Sequence, residues 1–439
     1  MKKVVKFGGS SLASAEQFKK VGDIIRKDPS RRYVVPSAPG KRFSDDTKVT
    51  DMLYSCYAAA VKEKKFTDLL DKIKERYQEI IDGLGLDFFL DDDFDTIRIN
   101  FSKKIGRDYA ASRGEYLNGK VMAAYLGFEF VDAAEVIRFN DDGTFNDVLT
   151  NELLSARLAD MENAVIPGFY GAKEDGTVVT FSRGGSDVSG SLVALAVNAD
   201  LYENWTDVSG FLIADPRIVK NPKSIETITY KELRELSYMG ASVLHEDAIF
   251  PVRKAGIPIN IKNTNAPQDK GTLIVEGTCR QSKYTITGIA GTDGFVSITI
   301  EKAMMNSEIG FCRKVLQVFE ENNVSIEHMP SGIDTMTIFV HKDVFEEKEQ
   351  KILAEIHKAV NPDHIELESD LALIAIVGRG MKSTRGTAGR IFSALAHAHI
   401  NVKMIDQGSS ELNIIVGVRH DDFKNAIRAL YEIFVVTQI

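Results

Sequence analysis

With 439 residues, 44% of them hydrophobic and 27% charged, the chain is too long for one hydrophobic core, and its composition excludes a disordered or fibrous class; about three domains is the natural division. A formal net charge of -9 and a pI near 5.5 argue against a general binder of nucleic acid or anionic membrane, while leaving room for a local basic site that holds a small anion. Cys56, Cys279 and Cys312 stand far apart without any C-x-x-C pairing, a pattern that suggests reduced thiols in a cytoplasmic protein, not a zinc site or a disulfide framework. The first residues offer two lysines and only a brief apolar run before Gly8, and no apolar run approaches 18 residues. Neither a signal peptide nor a membrane anchor is expected.

In chain order, Val4-Val5-Lys6-Phe7-Gly8-Gly9-Ser10-Ser11 comes first and organises the rest. Val4, Val5 and Phe7 suit a buried strand, the glycines let backbone N–H groups approach a phosphate, and Lys6 adds a compact positive charge. An ordinary strand-to-helix turn with an exposed lysine reads the same stretch. Ser14 and Gln17 have capping-box spacing at the start of a helix expected over Ala15 to Lys27, whose N-terminus would lie near the loop. Tyr33-Val34-Val35 is a second strand, delivering the small-residue loop Pro36-Ser37-Ala38-Pro39-Gly40. Thr50-Asp51-Met52-Leu53 begins a helix, and residues from Lys62 to Gly127 read as mostly helical. Asp91-Asp92-Asp93 reads as a solvated loop and not a metal site. Val165-Ile166 ends in Pro167-Gly168-Phe169, Val178 to Phe181 in Ser182-Arg183-Gly184-Gly185-Ser186-Asp187, and Leu201 to Trp205 in Thr206-Asp207-Val208-Ser209-Gly210. Strands that carry glycine-containing loops at their C-terminal ends point to a mainly parallel α/β sheet with its ligand site there.

Beyond Tyr284 the chain repeats itself. A shift of 76 residues lays Ile298 on Ile374, Met305 on Met381, Gly310 on Gly386, Val315 on Ile391, Phe319 on Leu395, Gly332 on Gly408 and Ile338 on Ile414. A repeat this long means two copies of a small domain, each with a ferredoxin-like βαββαβ pattern; Val324-Ser325-Ile326 and Met336 to Val340 are strands expected in the first. Gly378-Arg379-Gly380-Met381-Lys382-Ser383 lacks the third glycine of a dinucleotide fingerprint and reads as a loop. No Walker A pattern occurs, His397 and His399 would diverge on a helix, and His245 reads as a packed or capping residue.

Lys6-Phe7-Gly8-Gly9, Ser182 to Asp187 and Trp205-Thr206-Asp207, followed by the paired copies, together resemble the aspartate kinases over essentially the whole chain. The resemblance implies an amino-acid-kinase α/β/α sandwich over 1–284, then ACT domains at 285–370 and 371–439, with a strand near 285–300 that the second copy borrows. It implies phosphoryl transfer from ATP with Mg2+ to L-aspartate, as the first step towards lysine, threonine and methionine. By the same carry-over Lys6, Gly8, Gly9 and Asp187 are catalytic, and Ser37, Thr50, Glu115, Arg183 and Ser186 hold aspartate, with Arg183 on its α-carboxylate and Glu115 on its ammonium. Lys6, Thr206, Asp207, Asp215 and Arg217 serve ATP. Glu115 and Arg183 also read as a plain structural ion pair. Ser242 and Leu212 depart from the pattern, standing where many relatives have a lysine and some a tyrosine beside the nucleotide, so that Arg217 or Lys262 would have to supply the missing charge.

The same resemblance implies a homodimer or dimer of dimers and L-lysine as effector, held by Met305, Ser325, Glu327 and Ser331 of the first copy. Lys403, which replaces Glu327 in the second copy, would repel lysine; threonine is the alternative effector. Another amino-acid-kinase relative, acting on glutamate, acetylglutamate or uridylate, and a silent amino-acid sensor are the rival readings.

Overall fold

The computed structural model describes residues 1–182, 184–241, 244, 246–278 and 284–437. They form two compact units: residues 1–211, 224–230 and 243–278 make the first, and residues 212–223, 231–242 and 279–439 the second.

The first unit is built on an eight-stranded sheet. Its elements are β1 (Lys3–Phe7), α1 (Ala15–Arg26), β2 (Arg31–Pro36), α2 (Val49–Val61), α3 (Thr67–Leu84), α4 (Asp91–Ser102), α5 (Arg107–Leu126), β3 (Glu129–Phe130), α6 (Ala133–Val136), α7 (Asp147–Leu158) and β4 (Ala164–Val165). There follow β5 (Tyr170–Ala172), β6 (Val178–Thr180), α8 (Gly185–Ala196), β7 (Leu201–Thr206) and β8 (Thr227–Thr229). Helix α9 (Tyr230–Tyr238) belongs to the second unit except for its first residue, and α10 (Glu246–Lys254), β9 (Ile259–Asn263) and β10 (Thr272–Val275) complete the first. The sheet runs β3-β4-β2-β1-β7-β9-β10-β8, and only β9 and β10 pair antiparallel.

Strand β1 lies inside the sheet, and its alternation decides which face each residue serves. Val5 and Phe7 join Val34 and Trp205 in the core beneath α1, α2, α3 and α5. Lys6 points to the opposite face, towards α8. The Ser14 hydroxyl caps α1 by accepting from Gln17 N, but the Gln17 amide donates to Asn265 instead of closing the box. Two expectations need correction here. Asp91-Asp92-Asp93 is not a loop but the first turn of α4, where negative charge suits the exposed N–H groups. The strand at Val178 lies outside the main sheet: among the described residues β6 pairs with β5 alone, in a separate antiparallel hairpin, where its half-buried residues can face solvent on one side.

The second unit contains β11 (Gly288–Glu301), α11 (Phe311–Glu321), β12 (Thr335–His341), α12 (Lys342–Phe345), α13 (Glu349–Val360), β13 (His364–Val377), α14 (Thr387–His397), β14 (Met404–Asp406), β15 (Asn413–Arg419) and α15 (Phe423–Tyr431). One five-stranded sheet, β12-β11-β13-β15-β14, serves both copies. Residues Gly288 to Asp293 of β11 pair with Ala372 to Val377 of β13, which β15 flanks, and Phe295 to Glu301 pair with β12 on one side and with the His364 to Leu371 part of β13 on the other. The repeat is visible in detail. Gly310 and Gly386 cap α11 and α14 with φ of 82° and 81°, a left-handed conformation that glycine adopts without strain. β12 starts at Thr335 and β15 at Asn413, two residues later than the shift places it; an even insertion keeps Ile338 and Ile414 on the buried side. Residues Val324 to Ile326 are not a strand. Pairing to β12 begins only at Glu327 and His328 and runs on as isolated bridges to Ser331, with Pro330 offering a carbonyl but no N–H to a regular ladder.

Candidate active site

The loop after β1 is held by its own backbone. Gly8 N donates to Trp205 O at 3.0 Å and Gly40 N to Gly9 O at 2.8 Å, tying together the ends of β1, β2 and β7. A Cβ on Gly9 would stand 2.8 Å from Ala38 O, so the second glycine is required by packing. A Cβ on Gly8 would meet only Trp205 O at 3.7 Å and Lys6 Nζ at 3.8 Å, ordinary contacts. The first glycine therefore keeps open the space beside the ammonium. Lys6, 8% exposed, places Nζ 2.6 Å from Asp187 Oδ1 in the first turn of α8. The same oxygen accepts from Asn204 Nδ2 at 2.7 Å. A helix N-terminus, a lysine and a glycine loop thus converge at the C-terminal ends of parallel strands, an arrangement suited to phosphate.

Glu115 lies on α5 and is 5% exposed. Burial pushes its carboxyl up to about 8, opposed by hydrogen bonds from backbone N–H groups including that of Ala38 and by the charge of Arg113. Its Oε2 has no hydrogen-bond partner among the described residues. A buried carboxylate with an unfilled acceptor suits a cationic ligand group. Ala38 joins this residue to the cradle, because its loop carries Gly40, and Ser37 N donates to Phe7 O at 3.0 Å. Ser37 O accepts from Asn118 Nδ2 at 2.6 Å. Thr50 is half-buried in the first turn of α2, and Ser186 is half-buried in that of α8, packed so tightly on Gly168 that a Cβ there would stand 2.8 Å from Ser186 Cα. Arg183, Ser242 and His245 lie outside the described residues.

The residues expected to serve the nucleotide divide between the units. Thr206 ends β7, and its hydroxyl lies 3.3 Å from Asp207 Oδ1. Asp215 and Arg217 belong to the second unit and form a bidentate pair, with Nη2 to Oδ2 at 2.6 Å, that holds the Asp215 carboxyl below its usual value. Half-buried Leu212 is in the same unit. Lys262 donates to Asp269 O at 2.7 Å and lies over the Trp205 ring, and burial lowers its pKa. Both cations expected to offset the departures at Ser242 and Leu212 are therefore engaged within the chain.

In the second unit Met305 is buried, while Ser325 and Ser331 are exposed. Glu327 is more enclosed, its side chain 8% exposed. Its Oε2 accepts from Tyr238 Oη at 2.5 Å and its Oε1 lies 3.7 Å from His341 Nε2. Tyr238 is largely exposed, and partial desolvation of its hydroxyl, then this hydrogen bond, raises the phenol above its ordinary value. Tyr238 is one of three staples spaced three residues apart on α9. Glu232 accepts from Thr287 and Arg379, and Glu235 accepts from Asn413 Nδ2 at 2.6 Å.

Sequence reasoning missed three residues that shape the site. Asn204 is 3% exposed on a strand buried on both faces, and a polar side chain at such a position is a legible signal of a specific bond. Arg76, 4% exposed, donates to Thr47 O and Gly40 O and pairs with Asp46, so it fixes the excursion between the cradle and α2. Tyr238 carried no local sign of its role, since its partner is 89 residues away.

The amino acid kinase family model matches residues 1–263, and an ACT domain model matches residues 374–434. Aspartokinase 3 of Bacillus subtilis is 42% identical over 451 residues, covering 98% of this chain and 98% of that protein. The crystal structure of Clostridium acetobutylicum aspartate kinase, described as an allosteric enzyme, is 53% identical, with a TM-score of 0.91 over 99% of this chain and 100% of that one. E. coli aspartokinase III in complex with lysine and aspartate, a T-state, shares the fold at 23% identity, with a TM-score of 0.73 and 99% of each chain covered.

Proposed function

This chain belongs to the aspartokinases of the amino acid kinase family, and from that premise we propose that it moves the γ-phosphoryl group of ATP onto the β-carboxylate of L-aspartate, giving 4-phospho-L-aspartate and ADP. The observation that carries the reading is the Lys6–Asp187 pair under the open Gly8 loop at the N-terminus of α8. The β-carboxylate of aspartate is ionised at neutral pH, so no general base is needed. What remains is to hold two anions in line and neutralise the charge spread over the phosphoryl oxygens. Lys6 and the cradle N–H groups do that work. Glu115 takes the ammonium of aspartate at its unfilled Oε2, and Arg183 forks onto the α-carboxylate, with Ser37, Thr50 and Ser186 around them. Thr206, Asp207, Asp215 and Arg217 serve the nucleotide. Magnesium would arrive on the ATP phosphates and share their charge; such an ion takes one or two carboxylates, and Asp187 is the carboxylate at the cradle.

In this reading residues 1–284 are the catalytic domain of a cytoplasmic enzyme at the entry to lysine, threonine and methionine synthesis, and 285–370 and 371–439 are its regulatory ACT pair. L-lysine binds the first copy of a homodimer or dimer of dimers through Glu327, with Met305, Ser325 and Ser331. The E. coli relative bound to lysine supports that choice of effector. Lysine and the Tyr238 phenol compete for the Glu327 carboxylate, so effector binding weakens the staple on α9. ADP release measured with L-aspartate, glutamate, acetylglutamate and uridylate in turn tests the reaction. Turnover should require aspartate. Turnover on another acceptor moves the chain to a different substrate, and none on any of them makes it a sensor.

A further inference from the structure

We propose that Asn204 is a positioning residue for the phosphoryl-transfer step, fixing the Asp187 carboxylate and through it the Lys6 ammonium. The inference rests on the reading of Lys6 and Asp187 given above. In the parallel register of β1 and β7, Asn204 stands directly opposite Lys6. Side chains paired this way leave the sheet on the same face, here towards α8. Both end on one atom: Lys6 Nζ is 2.6 Å and Asn204 Nδ2 is 2.7 Å from Asp187 Oδ1. Tyr202, two residues earlier on the same face of β7, donates its hydroxyl to the Asp187 main-chain carbonyl at 3.3 Å. Strand β7 therefore grips Asp187 by both its side chain and its backbone.

A buried amide at 3% exposure is costly unless its donor is used, and here it serves a charged acceptor, among the stronger hydrogen bonds a protein makes. The mechanical reason follows from the partners. Lysine is a point charge on a flexible four-carbon stem. If Lys6 alone held Asp187, each would wander with the other. An amide carried on a central strand removes that freedom, so Lys6 can turn towards phosphoryl oxygens and return while the carboxylate stays in place.

Asn204→Leu keeps the volume and removes the donor, and Asn204→Ser leaves a small polar group too short to reach Asp187. Losing one hydrogen bond to a charged group should cut kcat by about 10- to 100-fold. KM for aspartate and ATP should stay within about threefold of the parent, and the melting temperature should hold in at least one of the two variants. In an Asp187→Asn background the same change should cost less than about twofold, because a residue acting through Asp187 has nothing left to hold. A kcat within twofold of the parent in the folded variant, a rise in KM that tracks lost melting temperature, or equal losses in both backgrounds would overturn the proposal. Lys6→Ala separates this inference from the reading beneath it. If Lys6→Ala is active, the reading fails and the inference with it; if Lys6→Ala is inactive while Asn204→Leu turns over normally, only the inference fails.

Discussion

Glu115 offers a prediction whose size can be worked from the structure. Its carboxyl is raised from the ordinary 4.5 to about 8 by burial, so at pH 7 only about a tenth of the free enzyme carries the charge that an ammonium needs. The need to ionise the group there weakens aspartate binding by about tenfold. Binding should therefore release close to one proton per aspartate at pH 7, and the apparent Kd should fall by about tenfold per unit between pH 6 and 7.5, flattening near 8. Titration calorimetry in buffers of different ionisation enthalpy measures both. In Glu115→Gln the proton release should vanish, and the affinity gap to the parent should widen from pH 6 to pH 8. The stability sign runs the opposite way. The folded state keeps a proton that the unfolded chain loses above pH 4.5, so this group lowers stability as pH rises from 4.5 to about 8 and not beyond. Urea unfolding of the ligand-free protein at pH 8 should show Glu115→Gln more stable than the parent, by up to roughly 4 kcal/mol. Aspartate binding without proton release, or a Kd flat from pH 6 to 8, would refute the assignment of Glu115 to the ammonium.

Three further outcomes follow. Gly8→Ala should fold normally yet lose activity by about tenfold or more, because its methyl enters the space beside Lys6 Nζ, whereas Gly9→Ala should lose stability by about 1–3 kcal/mol through its clash with Ala38 O; melting curves beside steady-state rates separate them. Arg183→Lys should raise KM for aspartate far more than for ATP, since an ammonium cannot make the forked contact; an equal rise in both would place Arg183 on the nucleotide side. Tyr238→Phe should lower the half-inhibitory lysine concentration by about three- to tenfold, because Glu327 no longer has to be freed from the phenol, while Glu327→Ala should relieve inhibition; an unchanged dose response in both variants would refute the effector site.

What could be read from the chain depended on how local the physics was. The cradle was legible because two glycines and a lysine after an apolar strand carry their chemistry in adjacent residues, and the repeat because the helix caps Gly310 and Gly386 obey the same local rule twice. The three missed residues act at a distance. Asn204 meets Asp187 from another element, Arg76 reaches back 36 residues to Gly40, and Tyr238 finds Glu327 across 89. The misplaced strands failed for a related reason. Val178 to Phe181 and Val324 to Ile326 have strand-like residues, but pairing is decided by a partner's free edge, which the segment itself does not encode. Lys262 looked free for a phosphate because nothing nearby in sequence shows that Asp269 O and the Trp205 ring engage it.

The central claim is that Lys6 acts on charge that develops during transfer of the phosphoryl group to aspartate. A single-turnover measurement on Lys6→Ala, trapping the acyl phosphate with hydroxylamine, tests it most directly. The account predicts a folded variant that still binds ATP, with the transfer rate reduced by about a hundredfold or more. A near-parental rate of hydroxamate formation would contradict it.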